Sequence, residues 1–157
     1  GTARAVTGDG AQAKSARTLD DIAQESSLEN VSLLKSDVDG FDYDVLDSAE
    51  RLIREQTPLI FFECYFWTSG QREGFGKTLR MLQARSYVDW VIFDNYGELI
   101  LRTRDVAQID QLFDYCERQN TGRSTRTINY FDVLCATERH TQLVDEVVAG
   151  YISGGPV

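Results

Sequence analysis

Three carboxylates stand where two apolar runs end, which is a position suited to chemistry. Asp37 and Asp39 follow the run in VSLLKSDVDG (31–40), and Glu63 closes the run LIFFEC (59–64). Acids released at the carboxyl ends of strands in an open α/β sheet lie where ligands gather. A carboxylate that ends an apolar run is costly to bury without a partner, which favours a ligand-facing position for Glu63. The spacing therefore predicts one shared rim with Asp37 beside Glu63.

The elements that must position these acids alternate along the chain as strand and helix. The runs at 31–37 and 59–65 suit strands covered on both faces, and the helical spacing over 41–56 predicts the crossover between them. Further predictions are a helix at 18–22 capped by Thr18, a helix at 73–85, strands at 87–94 and 130–136, a hairpin return at 98–102, and helices within 106–116 and 143–148. Together these elements predict a three-layer α/β domain over 18–157 with a mixed, mostly parallel sheet, preceded by a flexible lead over 1–17. Asp42, Asp44 and Asp47 are expected on the exposed side of the crossover helix.

Composition narrows the class of protein. The 25 acidic and 16 basic residues give a net charge of -9, which disfavours a nucleic-acid partner. No apolar run approaches the roughly 18 residues that span a bilayer, so we expect no membrane partner. The three cysteines, an odd number in apolar stretches, indicate buried thiols in a reducing, cytoplasmic setting. No Cys or His spacing indicates a zinc site, and we expect no metal.

Four segments, in this order and spacing, resemble the later half of FkbM-type methyltransferases. They are the TLDD element at 18–21, LKSDVDG at 34–40, the VL..A helix at 45–49 and PLIFFE at 58–63. The resemblance implies transfer of a methyl group from S-adenosylmethionine (SAM) to a hydroxyl of a small metabolite or glycan. It also implies the later half of a Rossmann-like class I methyltransferase fold, whose final strand is antiparallel to the others. Asp39 stands where such proteins more often have glutamate.

The resemblance also implies roles for the residues that match the motif. We expect Asp37 and Gly40 to bind the cofactor, and Asp37 or Glu63 to take the proton of the hydroxyl. Asp39 is expected to bind the substrate. Independently of the resemblance, the ring of Tyr65, just beyond the second strand, is placed either to stack on a ring of the substrate or to pack under the following helix. An ordinary carboxylate is a weak base for an alcohol, so either acid needs a pKa raised by burial or by a neighbouring charge.

One element of the family is expected upstream of Thr18, namely the glycine-rich loop that approaches the cofactor. Seventeen residues precede Thr18, and no apolar run that would predict a strand leads into the glycines at 8 and 10, so we expect this chain to bind SAM weakly and to be inactive alone. The edge at 31–35 is then expected to be covered by 1–17 or by a second copy in a homodimer. Two alternatives remain: a metal-dependent glycosyltransferase that uses the Asp-x-Asp pair, and a non-catalytic module for binding or dimerisation.

Overall fold

The computed structural model describes residues 17–65, 68–120 and 128–154, with only the backbone of residue 120. The expected flexible lead lies outside these residues, except for Arg17. The helices are α1 Leu19–Glu25, α2 Asp42–Asp47, α3 Glu50–Gln56, α4 Ser69–Ala84, α5 Val106–Asn120 and α6 Thr141–Ile152. The strands are β1 Leu33–Ser36, β2 Leu59–Cys64, β3 Tyr87–Asp94, β4 Leu99–Thr103 and β5 Phe131–Thr137, and a 3₁₀ turn at Glu138–His140 follows β5.

The five strands form one mixed sheet in the order β1-β2-β5-β3-β4. The α/β class and the antiparallel final strand are confirmed, because β5 lies between β2 and β3 and runs opposite to both. The expected mostly parallel sheet needs correction: among the described strands only β1 and β2 pair in parallel. The reason is that β5 lies between β2 and β3 and pairs antiparallel with both, so these two strands do not pair with each other. Strand β4 adds another antiparallel pair, because it returns from β3 through a tight turn. The arrangement is compatible with the later half of a Rossmann-like sheet.

Helices cover both faces of the sheet, as a three-layer fold requires. The larger core lies between one face and helices α2 to α5. Its strand residues are Ile60, Phe62, Cys64, Tyr87, Trp90, Ile92, Phe131, Val133 and Cys135. On the other face, Val144 and Val148 of α6 pack against Val91 and Ala136. The cysteines at 64, 116 and 135 are buried thiols, as predicted.

The segment predicted as one helix over 41–56 forms two short helices, α2 and α3. The break lies at Ser48, whose hydroxyl accepts a hydrogen bond from the first N–H of α1 (3.1 Å). The carboxylate of Asp20 accepts hydrogen bonds from the N–H groups of Arg51 and Leu52 (both 2.9 Å). Helix α1 therefore supplies the cap that α3 needs. The apolar pattern of 41–56 could not predict this contact, because the capping residue lies on another helix.

Side-chain caps set the start of two other helices. The hydroxyl of Thr18 accepts a hydrogen bond from the N–H of Asp21 (3.0 Å), which confirms the predicted cap of α1. Helix α4 begins earlier than predicted because Thr68 and Gln71 form a capping box. Within the described residues, no helix has both the length and the apolar character needed to cross a bilayer.

Strand β1 lies at one end of the sheet, and among the described residues only β2 pairs with it. Leu33 on this strand is 56 % exposed. The expected cover from 1–17 involves residues outside those described, apart from Arg17. A second copy of the chain on this edge stays a prediction.

Candidate active site

Strands β1 and β2 bring their last residues to one edge of the sheet. They run in parallel, and Ser36 pairs with Phe62, so Asp37 and Glu63 follow at the same level. Strand β5 runs the other way, and its register places Asp132 directly across from Glu63. The structure thus brings together the two acids that the sequence predicted. It also places Asp132 at this rim, which the sequence analysis did not predict. The one feature of the sequence that could have indicated this residue is that it is the single acid within the apolar run YFDVLCA.

The carboxyl group of Glu63 belongs to a largely buried residue and lies in a negatively charged setting. The residue is 8 % exposed. Burial is the largest effect on its carboxyl group, and the negative charges of Asp37, Asp42, Asp132 and Asp39 act in the same direction, so the pKa of Glu63 rises to about 7. A carboxylate with this pKa accepts a proton far more readily at neutral pH than an ordinary glutamate does. Glu63 therefore has the raised pKa that a carboxylate needs to act as a base for an alcohol.

The loop after β1 is held by Asp42, which differs from its predicted exposed position. Asp42 is fully buried, and its Oδ2 accepts a hydrogen bond from the N–H of Val38 (3.3 Å). Burial raises the pKa of Asp42, while the nearby Ser36 hydroxyl and backbone N–H groups favour the ionised form. The side chain turns back into the loop instead of facing solvent because it satisfies backbone donors there. Asp44 is exposed, as predicted.

Gly40 is required by a close approach between this loop and the end of β2. Its φ is +91°, and a Cβ atom at this position would lie 2.7 Å from the carbonyl oxygen of Tyr65 and 2.9 Å from Nε2 of Gln71. The Gln71 side chain donates a hydrogen bond to the Gly40 carbonyl (3.3 Å). Packing therefore accounts for this glycine, and its expected contact with a cofactor stays a prediction. Asp39 precedes it in the left-handed region at φ 53°, which an aspartate tolerates better than most residues.

We expect the substitution Gly40→Ala to destabilise the protein by about 1–3 kcal/mol from backbone strain, and by more where the new Cβ displaces Tyr65. Gly97→Ala is the matched control, because Gly97 also has a positive φ (+82°) but nothing lies within 4 Å of its Cβ position. Chemical denaturation of both variants measures the difference. Equal losses of stability would show that the close approach to Tyr65 contributes nothing.

A cleft of about 350 Å³ opens at this rim. It is lined by Asp39, Glu63, Tyr65, Asn129 and Tyr130. The rings of Tyr65 and Tyr130 meet edge to face, with centroids 6.4 Å apart and an interplanar angle of 69°. The turn between β3 and β4 anchors the far wall, since the Asn129 N–H donates to Oδ1 of Asn95 (3.1 Å) and the Tyr130 hydroxyl donates to its carbonyl (3.5 Å). Asn129 and Tyr130 were not identified from the sequence.

The predicted site residues fall into two groups around this cleft. Asp39, Glu63 and Tyr65 line it. Asp37 lies on the same rim, where its charge acts on Glu63, and its Oδ2 is 3.4 Å from Nζ of Lys35. Gly40 is buried behind the loop. In the parts of the chain that the structure describes, no group of three or more His, Cys, Asp or Glu side chains is placed to hold a metal ion.

One of three comparisons with known proteins found a match. A family model described as the Methyltransferase FkbM domain matches residues 3–88, which is more than half of the chain. The matched range contains β1, β2 and the acids that they deliver to the rim. Searches of curated proteins and of solved structures gave no significant match. The chain therefore belongs to the FkbM methyltransferase family.

Proposed function

We propose that this chain carries the acceptor side of the active site of a SAM-dependent O-methyltransferase that acts on a hydroxyl of a small metabolite or glycan. The observation that carries the proposal is Glu63, a nearly buried carboxylate with a pKa of about 7 that lines a cleft at the carboxyl end of β2. Family membership supports methyl transfer as the reaction.

The charges at the rim fit the cationic part of SAM. Its sulfonium and ammonium groups are positive, and Asp37 and Glu63 place negative charge at this edge of the sheet. Asp37 is the residue that we expect to hold the cofactor, because its carboxylate is largely exposed at the rim. When bound, SAM supplies an electrophilic methyl group.

Glu63 is the proposed general base. With SAM bound, the Glu63 carboxylate would take the proton of the acceptor hydroxyl while the acceptor oxygen takes the methyl group, and S-adenosylhomocysteine would leave as the other product. The neighbouring charges of Asp37 and Asp132 raise the proton affinity of that carboxylate, so proton transfer costs less than it would to an ordinary glutamate. Solvent can reclaim the proton after the product leaves, because the cleft is open.

The rest of the cleft suits a hydroxylated acceptor. Asp39 and Asn129 offer hydrogen-bonding groups to neighbouring hydroxyls, and the rings of Tyr65 and Tyr130 offer apolar surface for the carbon skeleton. Orientation of the acceptor by these contacts would lower the entropy cost of bringing the hydroxyl to the methyl group.

SAM binding without metal tests the proposal. We expect millimolar SAM, added without divalent ions, to shift the NMR resonances of Tyr65 and Tyr130, and Asp37→Asn to weaken this binding about tenfold, a loss typical of a charge-assisted contact. High concentrations suit the assay because weak binding is expected. Asp44→Asn, which removes an exposed acid of α2, is the control.

Two results would contradict the proposal. Binding of a nucleotide sugar that depends on manganese would favour the glycosyltransferase alternative. If neither SAM nor the nucleotide sugar binds, even at millimolar concentration, the result would favour a non-catalytic module.

A further inference from the structure

Asp42, at the start of α2, is a buried acid without a counter-ion among the described residues. Its side chain is fully buried, and no neighbouring cation acts on it there. Asp89, which is almost as buried, is held by the guanidinium of Arg102. A buried carboxylate without a counter-ion is costly, and an apolar side chain of similar size is often no less stable in such a place. This cost indicates that Asp42 has a role besides stability.

The groups that surround the Asp42 carboxylate are hydrogen-bond donors. The N–H of Val38 donates to Oδ2 (3.3 Å). The N–H groups of Gly40 and of Asp42 itself also favour the charged form, as does the nearby hydroxyl of Ser36. Oδ1 makes no well-formed hydrogen bond to a described residue. Hydrogen bonds to a charged oxygen are roughly twice as strong as neutral ones, so the charge of Asp42 strengthens its hold on the loop after β1.

The loop that Asp42 holds has a backbone that needs outside support. Asp39 and Gly40 are consecutive residues with positive φ, at 53° and 91°. Such conformations persist where the surrounding contacts fix them. From α4, the Gln71 side chain donates to the Gly40 carbonyl (3.3 Å), while Asp42 holds the N–H groups of the loop. Because Asp39 lines the cleft, these contacts set where its carboxylate lies in that lining.

The charge of Asp42 also reaches the acids of the rim. It acts on the carboxyl groups of Glu63 and Asp132 and contributes to the raised pKa of both. Asp37 acts on the same two groups, but its side chain is 60 % exposed, and water and salt screen an exposed charge more than a buried one. Loss of the Asp42 charge is therefore expected to lower the proton affinity of Glu63.

From these contacts we infer that Asp42 is a positioning residue of the rim: its buried carboxylate fixes the loop at 37–40 and keeps a negative charge near Glu63. Asp42 does not line the cleft, so it acts through Asp39 and Glu63, which do. The inference deepens the proposed function and rests on it for the reaction that the rim serves.

Asp42→Asn tests the inference, because asparagine keeps the shape of the side chain and removes its charge. Carbon-13 NMR of the Glu63 carboxyl group gives its titration midpoint, and hydrogen exchange of the Val38 and Gly40 amides reports on the loop. We expect the midpoint to fall by about 0.5–1 pH unit, since a like charge has been removed. Both amides are expected to exchange about fivefold faster, since their hydrogen bonds have lost a charged acceptor.

Asp47→Asn is the matched control. It removes another acid of α2, whose Oδ1 instead accepts a hydrogen bond from the Thr78 hydroxyl on α4 (3.1 Å). The control is expected to change neither the Glu63 midpoint nor the exchange of the loop amides. An unchanged Glu63 midpoint in Asp42→Asn would overturn the inference even if the amides exchange faster, because Asp42 would then only support the fold. Both expected changes in a protein that fails to bind SAM would support the inference and count against the proposed function.

If Asp42→Asn does not fold, the unaltered protein carries the test. The amide protons of Val38 and Gly40 are expected to shift together as the Asp42 carboxylate takes up a proton, at a midpoint above its ordinary pKa of 3.8. Amide shifts that stay constant through this acid range would overturn the inference.

Discussion

Replacing Arg102 by methionine is expected to destabilise the fold by about 3–5 kcal/mol, because the change leaves a buried carboxylate without its partner. Asp89 on β3 is 1 % exposed. The Arg102 guanidinium on β4 donates to both of its oxygens, from Nε (2.9 Å) and from Nη2 (2.6 Å). Arg102 also pairs with Asp145 of α6 at 2.6 Å, so the same side chain links two strands and the covering helix. Chemical denaturation at neutral pH measures the loss.

Two further variants separate this explanation from general damage. Arg102→Met combined with Asp89→Asn removes the buried charge and is expected to recover much of the lost stability. Arg104→Met is the matched control, because Arg104 pairs with Glu138 on the surface, where such pairs contribute about 0–1 kcal/mol. A loss for Arg102→Met no larger than that for Arg104→Met would refute the role given to the buried pair.

The substitution Glu63→Gln is expected to slow methyl transfer about 10²- to 10⁴-fold, the usual effect of removing a general base. Glutamine keeps the shape of the side chain but cannot take a proton, so the loss should fall on kcat more than on KM. The rate of the unsubstituted protein is expected to rise with pH and to level off above about pH 7, the pKa of Glu63. An assay of S-adenosylhomocysteine release over a pH series, made on a form of the protein that includes the family's glycine-rich loop, measures both effects.

The stability of the same variant shows whether a slow rate reflects lost chemistry or lost folding. The pKa of Glu63 is about 7 in the folded protein, above its ordinary value of 4.5. The folded state therefore binds more protons between these two values, and stability falls as pH rises from about 4.5 to about 7. Glu63→Gln escapes this loss, so we expect the variant to be more stable than the parent by about 1–3 kcal/mol at pH 8 and similar to it near pH 4.5. Reduced stability at pH 8 would be contrary to the account.

The parts of the site that could be predicted from the sequence lie within one strand–helix–strand unit, formed by β1, the crossover helices and β2. Asp37 and Glu63 end consecutive strands joined by a crossover, and the rules for such units place both ends on one edge of the sheet. Asp132 and Tyr130 could not be placed this way, because nothing local shows that the last strand lies between β2 and β3. The same insertion explains why the sheet is less parallel than expected.

Local patterns also failed where a side chain turns towards a tertiary partner. Asp42 has the helical position of an exposed acid, but its carboxylate caps the loop that carries Asp37 and Asp39. The crossover helix over 41–56 reads as continuous, yet Asp20 of α1 caps a second start within it. In both cases a partly buried backbone donor needed a partner, and apolar periodicity carries no information about that need.

The central claim is that burial and neighbouring acids tune Glu63 for proton transfer at the shared rim. Carbon-13 NMR of the side-chain carboxyl groups, followed over a pH titration of the protein and assigned with Glu63→Gln, measures this directly. The account predicts a pKa of about 7 for Glu63. A value near the ordinary 4.5 would contradict it.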